Sequence, residues 1–174
     1  MFENIIKNVH NRHPLIHCIT NYVSINDCAN IVLACGGAPI MAEDINEVSQ
    51  ITSICQGLAI NIGMLNDNKL SSMLKAGATA NELGIPVILD PVGAGSSDYR
   101  IKAVQNLMSN VQFGVIRGNV SEIKAIAAKQ GIHNISAGVY DTMQKDKSAM
   151  GVEAGIADKI TDDNIKEMAD FINK

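Results

Sequence analysis

Residues 85–97 read I-P-V-I-L-D-P-V-G-A-G-S-S, and the fold follows from how that stretch is parsed. Pro86-Val-Ile-Leu89 is a short, apolar, β-branched run, the composition of a strand buried on both faces of a parallel sheet. Asp90 stands at its C-terminal end, and Pro91, with no N–H to give a ladder, closes it. Gly93 and Gly95 let the backbone turn tightly and approach a ligand closely. In open α/β sheets ligands bind beyond the C-terminal ends of the strands. An acid followed by a glycine turn at that point therefore reads as part of a site, although Asp-Pro-Gly is also an ordinary way to end a strand.

The surrounding chain is built to match. It has 174 residues, 47 % of them apolar and 18 % charged, which favours one domain spanning residues 1–174 with a sizeable core. Three Phe, three Tyr and no Trp leave Ile, Val, Leu, Met and Ala to fill it. A net charge of −4 argues against a nucleic-acid surface, which needs clustered Lys and Arg. Cys18, Cys28, Cys35 and Cys55 show no C-x-x-C spacing and read as free thiols of a reducing compartment. With no signal-peptide h-region and no membrane-length apolar run, a cytoplasmic location is expected.

In chain order, Phe2, Ile5, Ile6 and Val9 predict a helix ended by Pro14, and 15–20 a strand. An apolar helix from near Ser24 to Cys35 stops at Gly36-Gly37. Residues 38–41 predict a buried strand. Asp44 and Glu47 give a capping signature for a helix with Ile45, Val48, Ile51 and Ile54 on one stripe. Residues 58–62 form a strand, and Leu70, Met73, Leu74 and Ala78 a helix running to Gly84. Beyond the glycine turn come a helix through Ile101, Val104, Leu107 and Met108, a strand at 113–116, and a helix opened by Asn119-x-x-Glu122 and closed by Gly131. The pattern weakens over 132–160 before Thr161 caps a last helix carrying Ile165, Met168, Ala169 and Ile172. Alternating strands and helices imply right-handed crossovers and a layered α/β domain.

Two strand ends carry chemistry. Asp90 with its glycines and Arg117-Gly-Asn119-x-x-Glu122 would share one sheet edge, gathering two carboxylates, a guanidinium and free backbone N–H groups. That is equipment for a Mg²⁺–nucleotide complex, since Mg²⁺ takes one or two carboxylates and Arg offers phosphate a fork. Taken singly, Asn119-x-x-Glu122 is first a helix cap, Arg117 a surface residue and Asp90 a turn former. Their coincidence carries the functional reading. His10, His13 and His17 have spacings of three and four, but Pro14 interrupts the helix that could make them zinc ligands. P-loop, G-x-G-x-x-G, G-x-S-x-G and H-R-D motifs are absent. Met41, at a strand's end, is a core methionine by default and a candidate wall for an apolar ring.

H-C-I-T-N (17–21), G-G-A-P-I-M-A (36–42), L-A-I-N-I-G (58–63), A-N-E-L-G-I-P-V-I-L-D-P-V-G-A-G (80–95) and I-R-G-N-x-x-E-I (116–123) resemble, in order, the hydroxyethylthiazole kinases of thiamine salvage. The resemblance implies a ribokinase-like α/β/α fold with a mostly parallel sheet. It implies transfer of the ATP γ-phosphate to 4-methyl-5-(2-hydroxyethyl)thiazole with Mg²⁺, in a homotrimer with thiazole pockets at subunit interfaces. Position by position, Met41 matches the thiazole-contacting methionine and Asn21 the substrate-pocket motif. Arg117 matches a nucleotide contact, and Asp90, Asn119 and Glu122 the polar group around Mg²⁺ and the phosphates.

The resemblance also implies a C-terminal part with an I-T-G-x-x-D segment and a T-G-x-G-C motif, the anion cradle and catalytic cysteine. Here no Thr-Gly dipeptide occurs and none of the four cysteines follows a Gly. The fold is thus expected to be C-terminally incomplete, with an unpaired sheet edge near its end and little kinase activity by itself, because phosphoryl transfer depends on positioned charge. No catalytic residue is assigned. The alternative is a non-catalytic thiazole- or nucleotide-binding module. A dehydratase of hydrated nicotinamide cofactors lacks support at 17–42, and a flavodoxin-like binder lacks its Ser/Thr phosphate loop.

Overall fold

The computed structural model describes residues 2–129. Helix α1 (Phe2–Arg12) leads into strand β1 (Leu15–Ile19), helix α2 (Ile25–Ala34) and strand β2 (Ala38–Met41). Then follow α3 (Val48–Ser53), β3 (Gly57–Asn61), α4 (Asp67–Glu82), β4 (Val87–Asp90), α5 (Asp98–Asn110), β5 (Val115–Ile116) and α6 (Val120–Lys129). All five strands are parallel, in the order β2-β1-β3-β4-β5. The expectations for residues 131–174, including the last helix and the edge near the C-terminus, lie outside the described residues.

Strand order dictates where the helices go. From β1 the chain moves one way to β2, then reverses across β1 to β3 and continues to β4 and β5. Right-handed crossovers therefore put α2 on one face and α3, α4 and α5 on the other. The contacts agree: α2 packs on β2, and α3, α4, α5 and α6 lie side by side. The row Ile19, Ile60 and Leu89 and the row Leu58 and Val87 face that second layer, burying against Met73, Ala76, Ala80, Val104 and Leu107.

Caps explain the helix starts. Asn66 Oδ1 accepts from Lys69 N and Ser97 Oγ from Arg100 N, each a side chain meeting an orphan donor of the first turn. Asn119 and Glu122 form a full reciprocal box, with Glu122 N donating to Asn119 Oδ1 at 2.9 Å and Asn119 N to Glu122 Oε2 at 2.8 Å.

Three expectations change. The Asp44/Glu47 box does not form: Asp44 Oδ1 accepts from Asn46 in a local turn, and α3 begins only at Val48. Ile45 and Ile54 are accordingly exposed while Val48 is buried. Strand β2, at the edge of the sheet among the described residues, is half-buried rather than buried. Strand β4 is not enclosed on both faces by the described residues. Ile88 is 43 % exposed and Val115, beside it on β5, is 49 % exposed, because α2 covers only the β1–β2 part of that face.

Candidate active site

Sheet register brings the polar residues together. Asn61 pairs with Asp90 across β3–β4, and Leu89 pairs with Ile116, so Arg117 is the next neighbour of Asp90. Asn61 Nδ2 donates to Asp90 Oδ2 at 2.9 Å, and Arg117 Nη1 donates to the same oxygen at 2.9 Å. On the other side Asn61 Oδ1 accepts from Asn21 Nδ2 at 3.2 Å and from Gly63 N at 2.8 Å. Asn21 Oδ1 in turn accepts from the Ser24 backbone and hydroxyl at the start of α2. A continuous line of hydrogen bonds thus runs along the C-terminal tips of β1, β3, β4 and β5. It crosses the gap between β1 and β3, where the strand order reverses and where α/β sheets bind ligands.

The glycine turn joins this line through α6. Gly93 (φ +67°) donates its N–H to Glu122 Oε1 at 2.9 Å, so the buried Glu122 carboxylate caps its own helix and holds the turn. The N–H groups of Ala94 and Ser96 bond within the turn, to Pro91 O and Gly93 O. Three of the backbone donors at the turn, those of Gly93, Ala94 and Ser96, are thus engaged within the protein. Arg100 secures it from behind, donating to Ile62 O at 2.7 Å, Val92 O at 2.8 Å and Gly63 O at 2.7 Å.

Next to Asn21 a pocket of ≈ 200 Å³ opens between β1, β2 and α2, lined by Cys18, Thr20, Tyr22, Ile25, Met41, Ala42 and Glu43. Drug-sized ligands need about 300–1,000 Å³, so this volume suits a single small ring. Cys18 and Met41 pair in register and give it an apolar floor. Burial, reinforced by the nearby Cys28 and Cys55, pushes the Cys18 thiol up to about 11, leaving it a neutral wall rather than a nucleophile. Asn21 sits between two lining residues, but its amide is turned into the line of strand tips.

Behind the pocket, His17 is fully buried. Its Nε2 donates to Ala42 O at 2.8 Å, and its Nδ1 lies 2.9 Å from the Thr52 hydroxyl. Burial lowers its pKa, against the opposing influence of the Ala42 carbonyl and Glu47. The Thr52 hydroxyl also lies 2.7 Å from Val48 O, and its single proton serves only one of the two, so it is burial, not the hydrogen-bond partners, that favours the neutral ring. Its role is to fix the Ala42 backbone, one wall of the pocket.

Lys69 in the first turn of α4 forms the polar end. Its ammonium bonds Thr20 O at 2.5 Å and Glu43 Oε2 at 2.7 Å, and lies 4.3 Å over the Tyr22 ring. The Tyr22 hydroxyl donates to Glu43 Oε1. Burial pushes the Glu43 carboxyl up, but bonds from Lys69 and Tyr22 and the Lys69 charge outweigh it and hold it below its usual range.

Of the residues singled out in the sequence, Asp90, Arg117, Asn119, Glu122 and Asn21 meet along one edge, and Met41 lines the adjoining pocket. Asn61, Arg100, Lys69, Tyr22 and Glu43 were not singled out. Asn61 could have been found by the logic that found Asp90, a polar residue ending an apolar strand. Lys69 bears a weaker signal, a cation in a helix's first turn, where the dipole disfavours it.

A sequence model of the hydroxyethylthiazole kinase family matches residues 6–162. The chain belongs to the hydroxyethylthiazole kinase family. It is 52 % identical over 171 residues to a hydroxyethylthiazole kinase of Clostridium acetobutylicum, covering 98 % of this chain and 57 % of that protein. It is 44 % identical to one from Methanobrevibacter smithii, covering 98 % and 56 %. The solved hydroxyethylthiazole kinase structure from Pyrococcus horikoshii OT3 superposes with a TM-score of 0.72 at 36 % identity, over 86 % of this chain and 55 % of that one. The chain thus spans a little over half the length of these kinase relatives. Among the described residues no helix is long and apolar enough to cross a membrane.

Proposed function

We propose that this chain serves the ATP-dependent phosphorylation of the hydroxyl of 4-methyl-5-(2-hydroxyethyl)thiazole, in thiamine salvage. The observation that carries this reading is adjacency: a ring-sized pocket floored by Met41 and Cys18 opens beside a hydrogen-bonded edge containing Asp90 and Arg117. The thiazole lies against Met41, with its hydroxyethyl arm toward the strand tips near Asn21. The nucleotide phosphates lie along the edge, with Arg117 supplying positive charge and Asn119 holding the turn that leads into α6.

The donor chemistry suits Mg²⁺. Among the described residues no group of three or more His, Cys, Asp or Glu is placed to cage a metal, and Mg²⁺ needs no such cage, only one or two carboxylates with waters and phosphate oxygens. Asp90 and Glu122 would hold it: both donors to Asp90 converge on Oδ2, and Oδ1 takes neither. When bound, the ion neutralises charge on the phosphates. The chain's own contribution is to hold Asp90 at a fixed angle through Asn61 and to keep the glycine turn closed through Glu122 and Arg100. Sharing of the pocket between three copies of the chain belongs to the same proposal.

Calorimetry with the thiazole alcohol and with Mg·ATP tests the reading, and Met41→Ala should weaken thiazole binding about tenfold while leaving nucleotide binding intact. Absence of thiazole binding by the wild-type chain would overturn it. A binding module without turnover is the second reading. It is favoured at one point, the Glu122 carboxylate, both of whose oxygens accept backbone N–H groups. ADP formation in the presence of thiazole separates the two.

A further inference from the structure

The pocket's polar end contains a full positive and a full negative charge paired with each other, Lys69 behind the wall and Glu43 on it. Lys69 is 3 % exposed and sits in the first turn of a helix, where a cation is disfavoured both by desolvation and by the dipole. Such a placement persists only if every proton of the ammonium is engaged. Here Thr20 O, Glu43 Oε2 and the face of the Tyr22 ring supply three partners for three protons. Glu43 is likewise divided, one oxygen to Lys69 and the other to the Tyr22 hydroxyl. Three of the residues lining the pocket, Thr20, Tyr22 and Glu43, are thereby held by one side chain that does not line it.

Resting on the reading of this pocket as a thiazole site, we propose that Lys69 is a positioning and specificity-determining residue: by cancelling the Glu43 charge it makes the pocket select an uncharged heteroaromatic alcohol over its N-alkylated, permanently cationic counterpart. An unpaired carboxylate at this wall would attract a thiazolium ring. Paired internally, it repays nothing for the desolvation of a cationic ring, while a neutral ring loses no such hydration on entering.

The test compares the 174-residue wild type with Lys69→Met, Glu43→Gln and the double variant. Calorimetry measures affinity for 4-methyl-5-(2-hydroxyethyl)thiazole and for its N-methylthiazolium salt. Lys69→Met should narrow the neutral-to-cationic preference about tenfold, the scale of one unpaired charge at a part-exposed wall. Glu43→Gln should widen it, because Lys69 then stands unbalanced, and the double variant should return near wild type. Equal preferences in all four proteins overturn the proposal.

A second readout needs no ligand. The Tyr22 hydroxyl, assigned by difference from Tyr22→Phe, should titrate at higher pH in Lys69→Met than in wild type, since Glu43 loses its competing cation. It should titrate lower in Glu43→Gln. If the wild type binds no thiazole, the assignment of the pocket falls, and these titrations alone decide on Lys69: movement in the stated directions supports the neutralised wall, and none overturns it. Should Lys69→Met fail to fold, Glu43→Gln carries both readouts with the opposite sign.

Discussion

Asn61 and Asp90 stand opposite each other on neighbouring parallel strands, and the Asn61 amide donates to Asp90 Oδ2 at 2.9 Å. The same amide's oxygen receives Asn21 and Gly63, so one side chain joins the pocket side of the edge to its acidic side. Asn61→Ala should destabilise the protein by about 1–3 kcal/mol, the usual cost of stranding part-buried polar partners. It should also weaken Mg·ATP more than thiazole, because Asp90 loses its fixed angle while Met41 is untouched. Urea unfolding and paired calorimetric titrations check both. Unchanged nucleotide affinity would show that Arg117 alone orients Asp90.

Arg100 serves three carbonyls, Ile62, Gly63 and Val92, from two nitrogens of one planar group. Arg100→Met should cost about 2–4 kcal/mol, since charged donors are lost from several acceptors at once. Arg100→Lys should recover only part, because an ammonium cannot reproduce the fork. Full recovery in urea melts would mean that charge, not geometry, matters there.

Gly77 lies inside α4, where replacing glycine by alanine ordinarily helps a helix by up to about 1 kcal/mol. A Cβ at this position would come within 2.5 Å and 2.7 Å of the two Val111 methyls. Overpacking costs about 1–3 kcal/mol, so Gly77→Ala should destabilise on balance. Adding Val111→Ala should reverse the sign of the alanine effect, which a double-mutant cycle in thermal melts would reveal.

Acid sensitivity should have a component from His17. Its folded-state pKa lies below the ordinary 6.5 because burial penalises the charged ring. The unfolded chain therefore takes up a proton that the native state refuses. Stability from this group is complete above about pH 6.5 and declines as pH falls below it. Glu43 acts at lower pH: its depressed carboxyl supports the fold above the ordinary 4.5, with that support lost on further acidification. In a pH series of urea midpoints, His17→Gln should flatten the upper part of the slope and leave the lower part.

Much of what was local could be read from the sequence. The run ending at Leu89 gave its strand, and Asn119-x-x-Glu122 gave its cap, since both depend on neighbours a few residues away. Asp44-x-x-Glu47 misled because the Asp44 side chain found a closer donor in Asn46, a competition that spacing alone does not resolve. Ile88 looked enclosed because apolar composition records a preference for burial and says nothing of which segment supplies the cover. The pocket's far wall was least legible. Lys69 meets Thr20 across 49 residues of chain, and His17 meets Thr52 across 35. No periodicity encodes such pairs; they exist only once strand order has folded α4 and α3 over the same sheet.

The tips of four strands are fastened to one another by side chains, from Ser24 through Asn21, Asn61 and Asp90 to Arg117. Fastened in that way, the rim is already ordered: its polar side chains hold one another in place before any ligand arrives. Since freezing side chains consumes affinity at about 0.5–1.5 kcal/mol each, the proposed small-ring ligand would meet little of that cost there.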